Sequence, residues 1–571
     1  MAGLDLTAGE QRFDYIIVGG GSAGCVLANR LSEDADTRVL LLEAGGSDHH
    51  VFLQMPAALS IPMNMKRFNW FYESEPEPGM DGRRLHCPRG KVIGGSSSIN
   101  GMAYVRGNPG DFDGWQAMGC AGWSYADCLP YFLKAENFSA GGDAYRGAGG
   151  PLGTSRGTLR NPLYRAFIAA GVQAGYGATD DMNGHRQEGF GPMDMTVQGG
   201  RRASTARCYL EPVRQRKNLH VQLGVQVESI AFEGNRASGV TIRLGGTTYS
   251  LQATRELILC AGPIGDPQLL MLSGIGPGEH LQEHGIETRV HLPGVGGNLM
   301  DHLEIYVQMR CRQPVSLYSA MNPISKGLLG ARWLLTHAGV GASNQFESGG
   351  FIRSRAGVPY PDIQYHFLPL AISYDGRTMP KSHGFQVHAG HNLPQSRGSV
   401  RLRNCDPNSK PLIRFNYLSE EADRAGFRAC VRLTREIFAQ PAFDPYSDDE
   451  LAPGADVQSD ADIDAFVRAK AESAYHPSGT CTMGMGSDAV VDPSGKVHGI
   501  EGLRVVDSAI MPMIPNGNLN APTIMLAEKL ADAIRGRPPL PPAHDVPVWQ
   551  PRDWRRRQRE GVPVRSPAVA A

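Results

Sequence analysis

No stretch of the chain approaches the roughly 20 apolar residues that a membrane-spanning helix needs, and Met1 to Gln11 holds no apolar core of a secretory signal. A cytoplasmic protein is the expectation. Charge of one sign is not in excess either: 56 Lys and Arg against 57 Asp and Glu leave a formal net charge of −1, which removes any general attraction to nucleic acid. The ten cysteines are scattered, with no C-x-x-C and no paired Cys/His spacing, so neither disulfides nor a zinc site is expected, and no metal is assigned. No internal repeat is visible. What is plentiful is glycine, 70 of 571 residues, in a chain that is 41% hydrophobic. That is the composition of a turn-rich globular protein, long enough for two or three domains.

The most informative stretch is Asp14 to Gly24, which reads as a buried strand, a glycine turn and the start of a helix. Gly19, Gly21 and Gly24 have the G-x-G-x-x-G spacing: one for the tight turn, one for close approach of a pyrophosphate, one for helix–strand packing. The helix start at Ser22 and Ala23 would offer free N–H groups to phosphates. A second apolar strand, Val39 to Leu42, ends at Glu43, whose carboxylate suits the hydroxyls of an adenosine ribose and would repel a 2′-phosphate. FAD or NAD is therefore expected over NADP.

Further on, Arg89 to Gly101 is a second glycine-serine stretch, anchored by Val92, Ile93 and Ile99, whose backbone suits close contact with a flat ligand. An aromatic cluster, Phe68, Trp70, Phe71 and Tyr72, precedes it and reads as core or as a pocket wall. Strands are expected at Leu219 to Val227, Gly239 to Leu244 and Glu256 to Cys260, the last returning the chain to the nucleotide sheet at Ala261. From Asp301 to about Arg468 alternating strands and helical stretches point to an α+β unit. Leu503 to Asp507 reads as a buried strand and Asn520 to Ile534 as a helix. The tail is rich in Pro and Arg and is expected to be disordered.

These motifs resemble the glucose-methanol-choline flavin oxidoreductases over nearly the whole chain. Gly90 to Tyr104 and Gly262 to Gly276 correspond to the two family motifs, with Asp266 standing where the second usually has Ser or Thr. The segments Asp301 to Gln308, Gln313 to Tyr318, Gly341 to Glu347 and Tyr365 to Pro369 are similar to choline-oxidising members. The resemblance implies an α/β fold in which a Rossmann-like FAD domain (1–155, 200–300 and 470–540) is interleaved with an α+β substrate domain (156–199 and 301–469), followed by a tail (541–571). It implies FAD as cofactor, held by Gly19, Gly21, Ser22, Ala23, Gly24, Glu43, Ala44, Arg89, Val92, Gly95, Ser96, Asn100, Gly101, Val227, Ala261, Asp507, Asn520 and Thr523. Flavinylated members carry His at the position of Ile99, and Ile cannot bond to a flavin, so non-covalent FAD is expected.

Oxidising an alcohol in this way needs a base for the hydroxyl proton and a donor for the alkoxide. By resemblance His476 is the base, Asn520 the second active-site residue and His366 a third polar group near the alcohol. A quaternary ammonium has no N–H and can be held only by carboxylate charge and aromatic faces; Glu347 is the expected carboxylate, with Trp70, Tyr365 and Phe367 as walls. The activity implied is oxidation of choline to betaine aldehyde, with onward oxidation of its hydrate open. The alternatives are a dehydrogenase of aliphatic or polyethylene-glycol alcohols, and a flavoprotein that only binds FAD. Electrons would pass to oxygen or a quinone. Trp549 to Arg559, with five arginines, would suit peripheral contact with an anionic membrane face, against the simpler reading of a solvated tail.

Overall fold

The computed structural model describes residues 11–372 and 382–566. Two large sheets organise it. In the first, Leu219–Leu223, Val39–Glu43, Gln11–Val18 and Thr247–Leu259 run parallel and adjacent, with Leu503–Val505 parallel to the end of the last. Every residue of Val39–Glu43 is buried, which is why this strand reads as an unbroken apolar run rather than an alternating one. Arg236–Leu244 and Gln226–Glu233 extend the sheet as antiparallel strands.

The turn after Gln11–Val18 depends on two glycines. Gly19 has φ +103°, a region that side chains rarely enter, and a Cβ at Gly24 would lie 1.9 Å from the Gly19 carbonyl oxygen. The helix Ser22–Leu31 therefore packs directly onto the strand turn, and Asn520–Ile534 shares the same core.

The second sheet is antiparallel throughout, in the order Ser447–Ala452, Leu303–Cys311, Gly384–His391, Ile363–Leu368, Ser348–Ile352 and Gly189–Pro192. Side chains alternate across it. Ile305, Val307, Phe385, Val387, Tyr365 and Phe367 enter an apolar core with the helices Pro162–Gln173 and Glu421–Phe438. Each such side chain contributes about 1.5–3 kcal/mol on burial. The residues between them, Glu304, Gln364, His366, Gln386 and His388, are polar and occupy the opposite face. His366 pairs with His388, and His388 with Tyr306, across the sheet register.

The strands of the first sheet come from 11–259 and 503–505, and those of the second from 189–192 and 303–473, so the two units are threaded through one another. Among the described residues no helix is long and apolar enough to cross a membrane.

The tail to residue 566 departs from the disorder expected of it. It lacks helix and strand, yet the Ala543 amide donates to Ala126 O (2.9 Å) and Tyr145 Oη to Pro547 O (2.9 Å). Farther along, Gly357 N donates to Trp554 O (2.9 Å), and Arg559 pairs with Glu436 and donates to Tyr176 Oη (2.9 Å). Composition registers the missing apolar residues but not these individual polar anchors.

Candidate active site

A cavity of ≈ 1020 Å³ runs from the carboxyl ends of the parallel strands to the polar face of the second sheet, at the upper end of the about 300–1,000 Å³ usual for ligand sites. Gly19, Gly21, Ser22, Ala23, Glu43, Ala44, Val227 and Ala261 line it from the first sheet. Arg89, Gly95, Ser96, Asn100, Gly101, Asp507, Asn520 and Thr523 line it as well. Two expected cofactor contacts are not on the wall. Val92 is fully buried against Leu53, Phe68 and Ile99, and Gly24 serves the helix–strand packing described above.

The wall fits FAD. The helices starting at Ser22 and Asn520 have no side-chain cap, so their first N–H groups are open to the cavity. Asn520 Oδ1 accepts from Ser22 Oγ (2.8 Å), while its Nδ2 is buried with no protein acceptor, as a donor awaiting a ligand carbonyl would be. Glu43 accepts from the amides of Gly20 (2.8 Å) and Gly45 (2.7 Å), and burial lifts its pKa to about 7. Arg202 braces the second glycine stretch by donating to Asn100 O (2.7 Å) and Oδ1 (2.8 Å). Ile99 lines the cavity with a hydrocarbon side chain.

At the second sheet His476 is held in one orientation. Its amide donates to Asp301 Oδ1 (2.6 Å), and it follows Tyr475, which has φ +66°, an uncommon conformation for a side-chain-bearing residue and one that collects at functional sites. His302 Nε2 lies 3.2 Å from Asn392 O, and His302 Nδ1 lies 3.0 Å from His476 Nδ1. A carbonyl only accepts, so Nε2 carries the proton of neutral His302 and its Nδ1 is bare. His476 Nδ1 therefore donates to it, which leaves the lone pair on His476 Nε2, facing the cavity. Burial holds His302 neutral, with a pKa lowered to about 3, and His366 likewise at about 4. Burial, then the neighbouring His302 and His366, keeps His476 well below the usual imidazole value.

The amide opposite that lone pair belongs to Asn518, not Asn520: Asn518 Nδ2 lies 3.1 Å from His476 Nε2, and Asn518 Oδ1 3.2 Å from His366 Nε2. Asn520 begins the following helix and points toward Ser22. The triplet of asparagines at 516, 518 and 520 offered the right residue type at three positions, and only the helix start separates their roles.

Glu347 also sits elsewhere than expected. It is buried, but its Oε2 accepts from Thr158 Oγ1 (2.9 Å) and the Leu159 amide (2.7 Å), and its Oε1 from Ser343 Oγ (2.7 Å). It is absent from the cavity wall and staples two loops together. The carboxylate that does reach the wall among the polar strand residues is Glu304, 5% exposed. Its Oε1 accepts from Tyr306 Oη (3.1 Å) and faces His388 Nδ1 at 3.1 Å. Gln386 Nε2 can only donate to His388 Nε2 (2.7 Å), which puts the His388 proton on Nδ1, toward Glu304. Phe346 stands beside His366 and His388, with ring centroids 5.9 and 5.3 Å away, and also lines the cavity. Of the expected aromatic walls, Trp70 is there, stacked on Tyr72 at 5.9 Å. Tyr365 and Phe367 are fully buried on the far face of their strand. Strand parity carries this signal: with His366 facing the cavity, its two neighbours cannot.

Comparison with known proteins places the chain in a family. Models of the GMC oxidoreductase family match residues 13–304 and 394–527. An oxygen-dependent choline dehydrogenase of Photobacterium profundum is 56% identical over 97% of this chain and 98% of its own. A second one, of Vibrio vulnificus, is 55% identical over 97% and 100%. Among solved structures, pyridoxine 4-oxidase from Mesorbium loti superposes with a TM-score of 0.84 at 32% identity, over 92% of this chain and 100% of that one. A formate oxidase gives 0.87 at 26% identity, over 92% and 98%. With two family models spanning most of its length and relatives above half identity along nearly all of it, the chain belongs to the GMC oxidoreductases.

Proposed function

We propose that this protein oxidises choline to betaine aldehyde with FAD, and can take the aldehyde hydrate on to glycine betaine. The observation that carries the reading is the juxtaposition on one cavity wall of a neutral base, His476, a facing amide, Asn518, and a buried carboxylate, Glu304. Bound FAD supplies the hydride acceptor. Glu304 and the face of Phe346 hold the trimethylammonium group, which offers no hydrogen-bond donor. His476 Nε2 takes the hydroxyl proton, and Asn518 Nδ2 donates to the oxygen as it becomes an alkoxide, when hydrogen bonding is strongest. His302 fixes the His476 tautomer, and Asp301 fixes its backbone. The hydrate of the aldehyde presents a second hydroxyl and C–H to the same groups, so onward oxidation needs no further machinery.

Segments 1–155, 200–300 and 470–540 are assigned to the FAD unit, and 156–199 with 301–469 to the substrate unit. FAD is held non-covalently, because Ile99 offers no nucleophile; flavin remaining with acid-precipitated protein would contradict this. The test of the whole reading is anaerobic bleaching of the flavin by choline against uncharged primary alcohols of similar size. Preferential bleaching by choline is expected. Equal bleaching by all would return the broader alcohol dehydrogenase, and no bleaching by any would leave a flavoprotein without this activity. Reoxidation by oxygen against a quinone analogue then identifies the acceptor.

A further inference from the structure

Among the described residues the fold leaves an apolar helix face uncovered. The 14-residue helix Pro323–Thr336 buries only Trp333, whose indole N–H donates to Gly200 O (2.7 Å). Ile324 is 77% exposed, Leu328 68% and Leu335 85%. At 3.6 residues per turn these three share one stripe, directly opposite Trp333. Leu334, beside the stripe, is also exposed.

The surface continues beyond the helix. Gly341 lies against Met55, which brings exposed Val340 next to the 51–72 segment with exposed Val51 and Ile61. Seven of the thirteen most exposed large apolar side chains among the described residues fall in these two segments, so they form a patch rather than the usual scatter. Lys326, Leu329 and Gly330 from the helix, with Ala57 to Ile61, line the cavity. The helix therefore turns its Trp333 side to the cavity, and the apolar stripe points away from it.

Its charge is one-sided. Neither Val51 to Tyr72 nor Leu317 to Phe346 contains an Asp or Glu, in a chain whose net charge is −1. Lys66, Arg67, Lys326 and Arg332 are exposed, and no ion pair among the described residues involves them. A second copy of the chain fits poorly, because a two-fold interface places a patch on itself and would face these cations with cations.

We propose that this face docks on an anionic bilayer, with Ile324, Leu328 and Leu335 at the headgroup–acyl boundary and Lys66, Arg67 and Arg332 among the headgroups. The helix then lies between the cavity and the lipid. The Trp549 to Arg559 tail is the poorer candidate: Arg186 stacks on Trp549 at 4.6 Å, and Arg559 is paired with Glu436. The proposal does not depend on which alcohol is oxidised.

The test is flotation of the full-length holoenzyme with vesicles of phosphatidylcholine plus phosphatidylglycerol, and with phosphatidylcholine alone. Wild type is expected on the anionic vesicles, less on neutral ones and less at high salt. The double variant Leu328→Asp/Leu335→Asp should lose at least about tenfold in vesicle binding, with its flavin spectrum and flavin reduction in solution unchanged. Should the double variant fail to retain flavin, Leu335→Asp and Arg332→Glu singly make the same comparison. Wild type that stays off anionic vesicles overturns the proposal, as does variant binding equal to wild type. A lipid-free dimer that the double variant splits would assign the face to a second copy instead.

Discussion

Replacing Glu304 with Gln isolates the charge that selects the substrate. Gln keeps an oxygen for Tyr306 Oη and His388 Nδ1, the two partners of Glu304, and nearly the same volume, so the pocket's shape is preserved. A quaternary nitrogen at about 5 Å from the carboxylate, in an effective dielectric of about 20, gains about 3 kcal/mol. Glu304 is only 5% exposed, so solvent screens little of this. Glu304→Gln should therefore weaken choline binding by roughly tenfold to a hundredfold. 3,3-Dimethylbutanol, with carbon in place of nitrogen, should bind the variant and the wild type alike. Glu347→Gln is the control, because its oxygens accept three hydrogen bonds away from the cavity; it should cost stability and treat the two compounds equally. The assay is anaerobic flavin reduction at varied substrate, which yields affinity and limiting rate separately. Equal weakening of both compounds by Glu304→Gln, or selective loss of choline in Glu347→Gln, would refute the assignment.

Three other outcomes follow from the geometry. Asn518→Ala should slow flavin reduction by about 100-fold or more with little change in affinity, as loss of an oxyanion donor does, whereas Asn520→Ala should chiefly loosen FAD; stopped-flow reduction and flavin retention separate the two, and the reverse pattern would restore Asn520 to the alkoxide. Because burial holds His302, His366 and His476 below the ordinary imidazole value, the reduction rate should stay level as pH falls through about 6.5. Stability should fall instead, since only the unfolded chain takes up protons at these sites; a rate inflection near the ordinary value would show that His476 titrates normally. Asp266 is buried beside Asp507 and accepts from the Ala261 amide (2.8 Å), and burial, then the Asp507 charge, raises its pKa well above the carboxylate range. The stability it contributes is present at low pH and lost as pH rises toward that raised value. Asp266→Asn, which keeps the acceptor without the ionisation, should gain thermal stability over wild type increasingly as pH rises above the ordinary carboxylate value of about 4, and a constant difference in melting temperature would show that the proton is not involved.

Sequence alone determined the nucleotide unit, because its signals are local. The strand, turn and helix at 11–31 rest on glycines whose freedom no other residue shares, and the all-apolar strand at 39–43 and the helix Asn520–Ile534 follow from short-range periodicity. His476 was singled out among the histidines only by the family resemblance of Tyr475 to Thr480. Tertiary structure decided which side chains meet it. Glu304, Asn518 and His302 come together only when strands and loops distant in sequence are laid side by side, and nothing local distinguishes Glu304, facing a cavity, from Glu347, closing a loop. The face of Tyr365 and Phe367 is fixed by a parity that needs one anchored neighbour. The tail's docking and the bare helix at 323–336 are likewise properties of what lies next to a segment in space, which composition cannot express.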